Sequence, residues 1–257
     1  MPDFDPYDAL VPVFLHTELP QKLRQFGSAV FFELHGNPYL LTAAHVTDGL
    51  KHGELLVPTG EGLVPIEGYL GYIDLPPEIQ RTEDTTDIAY YRLSTECASA
   101  LCHHFSPLPQ TKSELIESGL ELTTCSATGY PATKCRKNGN AFSSEIFAFR
   151  GVAAGAETYD QLSLSPDTNI ILHFHKKRAI HPGTMDPFPT PGLKGISGGG
   201  IFAWPKGSEI SDDWSLPKLV GVVHTYKERE GLIIGTSMLP VLAAISLGKM
   251  KGFGGIR

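Results

Sequence analysis

A serine set among glycines is the residue of this chain whose surroundings most directly suggest chemistry. Ser197 lies in the stretch GISGGGIF, residues 195–202. A serine hydroxyl becomes a nucleophile only beside a base, and glycine-rich backbone presents N–H groups that bind anions. The stretch is therefore compatible with a phosphate loop, a dinucleotide loop or a catalytic nucleophile.

Two of these interpretations fit poorly. A P-loop needs a Lys-Ser or Lys-Thr pair after its glycines, and a dinucleotide loop opens a helix, whereas the strand-like GIFAW follows here. Residues 195–199 also match GxSxG, the nucleophile elbow of α/β-hydrolases, but that elbow joins a strand to a helix and needs a later acid and base. His224, the only histidine after Ser197, follows Asp212 and Asp213 too closely for that arrangement.

A base and an acid that suit Ser197 lie upstream instead. His45 comes near the end of the apolar run LLTAAHV, residues 40–46, and Asp87 opens the run DIAYYRL. An imidazole within about 3 Å can accept the serine proton, and a carboxylate can hold that imidazole in the productive tautomer. The chain therefore carries a candidate triad in the order His, Asp, Ser.

TAAH, DIA and GISGG, in this order, resemble the three catalytic signatures of the trypsin/chymotrypsin-like serine peptidases. The resemblance extends over roughly residues 25–248. Within it, TGYP (128–131) is similar to the strand that opens the second barrel, KLVGVVHTY (218–226) to the substrate-binding strand, and SMLPVLAAISL (237–247) to the closing helix. The resemblance implies an all-β, chymotrypsin-like fold of two six-stranded antiparallel β-barrels with a C-terminal helix.

The resemblance also implies a role for each candidate catalytic residue. His45 would be the general base, Asp87 would orient its imidazole, and Ser197 would attack the substrate carbonyl. The oxyanion hole would consist of the backbone N–H groups of Gly195 and Ser197. Two departures, Ile196 before the nucleophile and Val46 after His45, place the chain with disulfide-free bacterial enzymes rather than with the digestive branch.

Five residues are expected to bind substrate. Pro191 falls at the floor of the specificity pocket, where it offers no carboxylate to select Arg or Lys, so a tryptic preference is not expected. Lys194 and His224 at the pocket rim favour an acidic side chain, and Thr225 and Tyr226 would pair with the peptide as an added strand. His224 stands where the family has a small serine beside the catalytic Asp, so its imidazole either donates to that Asp or crowds the cleft.

The element pattern supports a β fold in two parts. About a dozen short strand-like runs separated by turn signals form two groups, and helical periodicity is convincing only at the end of the chain. HGNP, after the run at 29–34, predicts a hairpin, and 181–195 is a turn-rich loop. The expected division is an N-terminal extension 1–24, a first barrel 25–110, a second barrel 111–236, and a helix and tail 237–257.

Composition and net charge limit the kinds of partner that we expect. The 257 residues carry a formal net charge of −7, which argues against nucleic-acid or anionic-membrane partners. No apolar run reaches the length of a membrane span. The absence of a basic signal start predicts a cytoplasmic protein with reduced thiols. His173 and His175 share one strand face and are compatible with a metal, but no third ligand is implied, so we expect no metal or cofactor.

The expected function is a serine endopeptidase that works through an acyl-enzyme. Its substrate would be a protein or peptide. An unrestrained protease would damage the cytoplasm, so we expect either a narrow specificity or a protein partner that activates or inhibits the enzyme. The alternative is a protease-like module that binds peptides or proteins without cleaving them. A lipase or esterase activity remains only as a side reaction of an acyl-enzyme.

Overall fold

The computed structural model describes residues 5–18, 21–72, 75, 78–138, 141–176, 179, 186–209 and 211–247. Its first half is one sheet of eight strands: β1 (Leu10–Glu18), β2 (Gln21–Leu34), β3 (Asn37–Ala43), β4 (Glu54–Thr59), β5 (Gly62–Pro65), β6 (Gly68–Tyr72), β7 (Ile88–Leu93) and β8 (Leu108–Pro109). The order is β5-β4-β1-β2-β3-β7-β6, with β8 parallel to β2.

This first sheet is curled rather than closed into the expected six-stranded barrel. Its two end strands, β5 and β6, are separated only by residues 66–67. Ile66 N donates to Leu55 O on the β4 side, whereas Glu67 O accepts from Ser94 N on the β7 side. The chain therefore changes partners at this point, and the two ends of the sheet meet in one bent segment instead of pairing with each other.

The second half contains a closed antiparallel barrel, as expected. Its strands are β9 (Thr124–Gly129), β12 (Phe147–Ala153), β13 (Asn169–His173), β14 (Gly200–Ala203), β15 (Lys218–Lys227) and β16 (Leu232–Ser237), with the hairpin β10 (Cys135–Asn138) and β11 (Ala141–Ser144) outside it. The barrel order is β12-β13-β16-β15-β14-β9. Together the curled sheet and the closed barrel confirm the all-β prediction.

Helices are short and few among the described residues: α1 (Ala44–Thr47), α2 (Thr95–Leu101), α3 (Ala156–Leu162) and α4 (Met238–Leu247). Helix α4 confirms the predicted C-terminal helix, while the helices α1–α3 were not anticipated by the periodicity. The predicted hairpin is confirmed too, because His35 and Gly36 between β2 and β3 both have positive φ, 51° and 72°, as a type I′ turn requires.

Strand β1 is integral to the first sheet, where it pairs with β2 and β4. Its residues 10–15 are all buried, because almost every one of them is apolar. The sheet therefore begins before residue 25, within the segment expected to be an extension. The remaining domain limits stay predictions, and residues 181–185 of the turn-rich loop and the tail from 248 lie outside the described residues.

An apolar core joins the two halves. It combines Val30, Phe32 and Leu41 of the first sheet with Phe202, Leu219 and Val222 of the barrel and Met238 and Val241 of α4. Fully burying a side chain of this size contributes about 1.5–3 kcal/mol. This shared core fixes the relative position of the two halves, and the candidate catalytic residues lie along their junction.

Phe202→Ala should destabilise the protein by about 3–5 kcal/mol, because Phe202 is 1% exposed in this shared core and its loss leaves a cavity. Urea unfolding followed by tryptophan fluorescence measures the change. Leu115→Ala, at a side chain that is 54% exposed, is the control and should cost less than about 1 kcal/mol. Equal effects of the two substitutions would contradict the role of the shared core.

Candidate active site

The first pair of candidate residues is joined by two hydrogen bonds, and a third comes from the neighbouring Ala44. His45 lies in α1, and Asp87 lies immediately before β7. His45 Nδ1 is 2.6 Å from Asp87 Oδ2, and the His45 backbone N–H donates to Asp87 Oδ1 at 2.8 Å. Ala44 N donates to the Asp87 carbonyl at 3.0 Å. This arrangement fixes the ring so that Nδ1–H faces the carboxylate and Nε2 is left to accept a proton.

Asp87 adopts an unusual backbone conformation to make these contacts. Its φ is +37°, in the left-handed region that L-residues seldom occupy and that Asp tolerates better than most. Its side chain is 6% exposed, whereas that of His45 is 36% exposed. The carboxylate is thus buried behind an imidazole that reaches solvent, as a base that meets substrate requires.

A charged cluster holds the segment before Asp87. Arg81 donates from Nε to Asp48 Oδ2 at 3.0 Å and from a terminal nitrogen to Asp84 Oδ2 at 2.6 Å. Asp48 directly follows α1, and Asp84 accepts from Thr86 N at 3.0 Å. Burial raises the pKa of Asp48, but the hydrogen bonds and charges of Lys51 and Arg81 together outweigh it and lower that pKa below its usual value. Arg81 therefore links the helix that carries His45 to the loop that carries Asp87.

The same loop is tied to the second half of the molecule. Asn169 at the start of β13 donates from Nδ2 to the Thr85 carbonyl at 2.6 Å, and the Thr236 hydroxyl of β16 donates to the Thr86 carbonyl. Asn169 and Thr236 are both buried. The position of Asp87 consequently depends on the barrel as well as on the first sheet.

Ser197 lies on the turn that leads into β14. Its carbonyl accepts from Ser28 N of β2 at 2.8 Å, and Gly198 N donates to the Val223 carbonyl of β15 at 2.7 Å. The Ser197 hydroxyl donates to the His224 carbonyl at 3.2 Å. Within the described part of the chain, this hydroxyl forms no hydrogen bond with His45. The turn thus places Ser197 at the junction of the two halves, with its hydroxyl in contact with β15.

Glycine is required on both sides of this serine. Gly195 has φ +100°, and a Cβ there would lie 2.8 Å from both Tyr130 O and Ala132 N. A Cβ on Gly198, which has φ +89°, would clash with the Ser28 carbonyl and the Thr42 hydroxyl. The glycines let the turn approach both halves closely, which a floppy surface loop would not need.

The backbone before Ser197 forms a tight turn that leaves two N–H groups without an acceptor among the described residues. Ile196 N donates to Leu193 O at 3.1 Å, which closes a four-residue turn with Gly195 in its third position, where a type II turn needs positive φ. The Lys194 carbonyl is engaged by Ala132 N at 2.7 Å. Among the described residues, the N–H groups of Gly195 and Ser197 donate to no acceptor, so both are available to an oxyanion.

Ser28 is the site residue that the sequence did not reveal. It is fully buried in β2; its hydroxyl donates to the Gly195 carbonyl at 2.8 Å and accepts from Tyr130 N at 2.8 Å. Its own carbonyl accepts from the Thr42 hydroxyl at 2.8 Å. The available signal was a polar residue at the start of the apolar run AVFFEL, but no sequence motif distinguishes it from a solvent-facing serine.

His224 is buried against the candidate triad. Strand β15 has a β-bulge at this residue, since Val223 pairs with Gly235 and Thr225 with Ile234, which leaves His224 without a partner on β16. Its Nδ1 is 2.9 Å from the Thr225 hydroxyl, while its Nε2 is buried without a hydrogen-bond partner. Bulges turn a side chain out of the regular alternation, and here the ring is directed into the protein.

Burial lowers the pKa of His224 to about 4; Asp87 and Asp84 nearby raise it, and His45 lowers it. The ring is therefore neutral at pH 7 and adds no positive charge to the pocket. A neutral ring does not attract a carboxylate by charge. The structure therefore does not support the predicted contribution of His224 to a preference for acidic side chains. The alternative in which His224 donates to Asp87 is not realised as a hydrogen bond between these two described residues.

The other predicted substrate-binding residues lie on the segment before Ser197 and on β15. Lys194 is exposed, Pro191 is half-buried, and Thr225 and Tyr226 are half-buried on β15. Strand β15 pairs with β14 only as far as Val222, whereas it pairs with β16 up to Lys227. Among the described residues, no strand other than β16 pairs with residues 224–227, although the His224 carbonyl accepts from the Ser197 hydroxyl. An unpaired strand edge is the geometry that an added peptide strand needs.

Neither a metal centre nor a disulfide occurs in the described part of the chain. No group of three or more His, Cys, Asp or Glu side chains is placed to hold a metal ion there. His173 and His175 are both exposed, and the four cysteines are free thiols. No helix among these residues has the length and apolarity to cross a membrane.

Comparison with known proteins places the fold. No family profile and no curated protein matches the sequence. Tobacco etch virus protease complexed with product matches with a TM-score of 0.51 and 12% identity over 96% of this chain and 81% of that chain. A thermostable serine protease from an extremophilic microorganism matches with a TM-score of 0.52 and 15% identity over 92% of this chain and 93% of that chain. The fold is chymotrypsin-like.

Arg81→Gln should destabilise the protein by about 2–3 kcal/mol, because it leaves Asp48 and the buried Asp84 without their shared cation. Lys51→Gln removes an exposed partner of the same Asp48 and should cost less than about 1 kcal/mol. Chemical denaturation of both variants measures the difference. A smaller effect for Arg81 than for Lys51 would show that the cluster does not hold the Asp87 loop.

The depressed pKa of His224 predicts a specific loss of stability in acid. The unfolded chain binds a proton near pH 6.5 while the folded chain does so only near pH 4, so stability is retained above pH 6.5 and falls as the pH drops from 6.5 to 4. The loss should reach about 3 kcal/mol. His224→Asn should remove this part of the pH dependence in denaturation curves, and parallel profiles for the two proteins would refute the assignment.

Proposed function

We propose that this chain is a serine endopeptidase in which Ser197 is the nucleophile, His45 the general base and Asp87 the orienting acid. The observation that carries the proposal is the 2.6 Å contact between His45 Nδ1 and Asp87, which leaves Nε2 as the acceptor. The free N–H groups of Gly195 and Ser197 support it, because a hydrolytic serine needs an anion site at the same place.

In the proposed reaction, the Ser197 hydroxyl leaves the His224 carbonyl by rotation of its side chain, transfers its proton to His45 Nε2 and attacks the substrate carbonyl. The negative charge on that carbonyl oxygen is stabilised by Gly195 N–H and Ser197 N–H. Removing one such donor raises the activation free energy by about 3 kcal/mol. The imidazolium, held by Asp87, then protonates the leaving amine, and water releases the acyl group by the reverse sequence.

We propose that substrate binds as an extended strand along residues 224–227. The free edge of β15 offers backbone donors and acceptors there, and Thr225 and Tyr226 contribute them. Pro191 at the pocket floor carries no charge, so cleavage after Arg or Lys is not expected. Lys194, exposed at the rim, keeps its predicted preference for an acidic residue, which His224 does not share because its ring is neutral.

The proposed setting is the cytoplasm. Four free thiols are typical of a reducing compartment. The net charge of −7 is unsuited to nucleic-acid partners. A protein or peptide is the proposed substrate, and we include a protein partner that activates or inhibits the enzyme. The reaction as proposed uses no metal or cofactor.

A second candidate function is a peptide-binding module of the same fold that does not cleave. The observation in its favour is that the Ser197 hydroxyl donates to the His224 carbonyl instead of to His45. If this contact persists when a peptide binds, the serine keeps its proton and remains unreactive. The free β15 edge would then bind peptides without turnover.

Covalent labelling by a fluorophosphonate separates the two functions. The native protein should be labelled, and Ser197→Ala and His45→Ala should each reduce labelling to the level of heat-denatured protein, because the probe reacts only with an activated serine. Ser99→Ala, at an exposed serine on α2, is the matched control and should label as the native protein does. In-gel fluorescence measures the labelling, and circular dichroism of every variant tests whether it is folded.

Absence of labelling in a natively folded protein would contradict the peptidase proposal and favour the binding module. Labelling that survives Ser197→Ala would place the reactive nucleophile elsewhere in the chain. Labelling that requires Ser197 but not His45 would remove His45 from its proposed role as base.

A further inference from the structure

A cleft of about 660 Å³ opens where the free edge of β15 ends. Its described lining comes from three places: Tyr226 of β15 with Glu228 and Arg229 after it, Pro189 and Thr190 in the segment that leads to the Ser197 turn, and His175 and Lys176 after β13. The cleft therefore lies between the strand and the segment that flank the candidate nucleophile.

Hydrogen bonds and packing hold the walls of this cleft. The Thr190 hydroxyl donates to the Lys176 carbonyl at 3.4 Å, and Phe174 N donates to the Gly231 carbonyl at 2.7 Å. The Tyr226 hydroxyl is hydrogen-bonded to the Lys176 backbone. The His175 ring packs where a Cβ on Gly231 would have to lie. A concave site built in this way is formed before any ligand arrives.

The charge of the cleft is opposite to that of the whole chain. Lys176 and Arg229 are cations, and Glu228 is the single carboxylate among the described lining residues. In the described part of the chain, neither Lys176 nor Arg229 forms an ion pair. On a protein of net charge −7, two unpaired cations in a concave site focus positive potential.

The distance from the nucleophile suits a substrate side chain. Tyr226 is two residues beyond His224, whose carbonyl contacts the Ser197 hydroxyl. Extended chains advance about 3.4 Å per residue, so a peptide paired with β15 reaches the cleft within roughly four residues of the scissile bond. Tyr226 thus belongs both to the strand that binds the peptide backbone and to the wall of the cleft.

We propose that this cleft is a substrate subsite that takes the carboxylate of an Asp or Glu side chain, with Lys176 and Arg229 as its partners. The inference rests on the proposed function for its role in cleavage, but not for the binding event itself. A carboxylate can accept a bidentate pair from Arg229 and a further bond from Lys176, and charge-assisted hydrogen bonds of this kind are the stronger ones. Glu228 weakens the subsite, which makes it a useful internal control.

The first test is a library of internally quenched peptides in which Glu, Gln or Lys is fixed in turn at each of four positions on either side of the scissile bond. At one position, Glu should be cleaved about tenfold faster than its isostere Gln, which is the ratio that about 1.4 kcal/mol of binding provides. Arg229→Gln and Lys176→Gln should each reduce this ratio to about twofold. Glu228→Gln should increase it.

Lys206→Gln, at an exposed lysine remote from the cleft, matches the charge change of Lys176→Gln and should leave the ratio unchanged. A similar fall in this control would assign the effect to net charge and overturn the subsite. Equal cleavage of Glu and Gln peptides at all positions would overturn it as well. A preference for Lys would show that Glu228 dominates the cleft.

The second test measures binding without turnover. The same peptides, labelled with fluorescein, are titrated into Ser197→Ala at low and at high salt, and anisotropy reports binding. Glu peptides should bind about tenfold more tightly than Gln peptides at low salt, with the difference reduced at high salt and by Arg229→Gln in the same background.

If the native protein is not labelled by fluorophosphonate but this preference is present, the peptidase proposal fails and the subsite stands. Equal binding of the two peptides removes the subsite whatever the activity.

Discussion

The hydrogen bond from Ser28 N to the Ser197 carbonyl joins the first sheet to the turn that carries the candidate nucleophile. It is 2.8 Å long and lies beside three more contacts of Ser28, to Gly195, Tyr130 and Thr42. A buried polar group that loses its partners costs about 1–3 kcal/mol. Ser28 is fully buried and forms hydrogen bonds with polar groups on both halves. Separation of the halves would leave several of these groups without a partner, and this cost stabilises the geometry at the junction.

The candidate acid is supported from the same two directions. Arg81 ties its loop to the segment that follows His45, and Asn169 and Thr236 tie it to the barrel. His224 completes the surroundings with a buried neutral ring, and a neutral ring does not compete with His45 for the charge of Asp87. The acid is therefore embedded in a polar network that keeps its orientation while only the imidazole reaches solvent.

Sequence reasoning predicted the parts of this arrangement that depend on local pattern. The glycines beside Ser197 and the contact between His45 and Asp87 were expected from the motifs, and the hairpin at His35 from its turn residues. The roles of Ser28 and Arg81 were not predictable, because each depends on contacts between segments far apart in the chain. The bulge at His224 was not predictable either, because the run KLVGVVHTY has the pattern of one regular strand. The register shift arises only from the pairing of β15 with β16.

The open curl of the first sheet escaped prediction for a related reason. Whether residues 62–72 close a barrel depends on which neighbour each backbone group meets, and the alternation of apolar residues is the same in either case.

The attachment of the Asp87 loop to β13 and β16 bears on the order in which the molecule is made. Residues 45 and 87 leave the ribosome early, but their loop lacks the Thr236 hydroxyl until β16 has followed and the barrel has closed. A partly synthesised chain therefore has the contacts of Asp87 within the first half, but it lacks the two contacts from Asn169 and Thr236 and the turn that carries Ser197. The three candidate residues can therefore come together only after the strands of the barrel are present beside the first sheet.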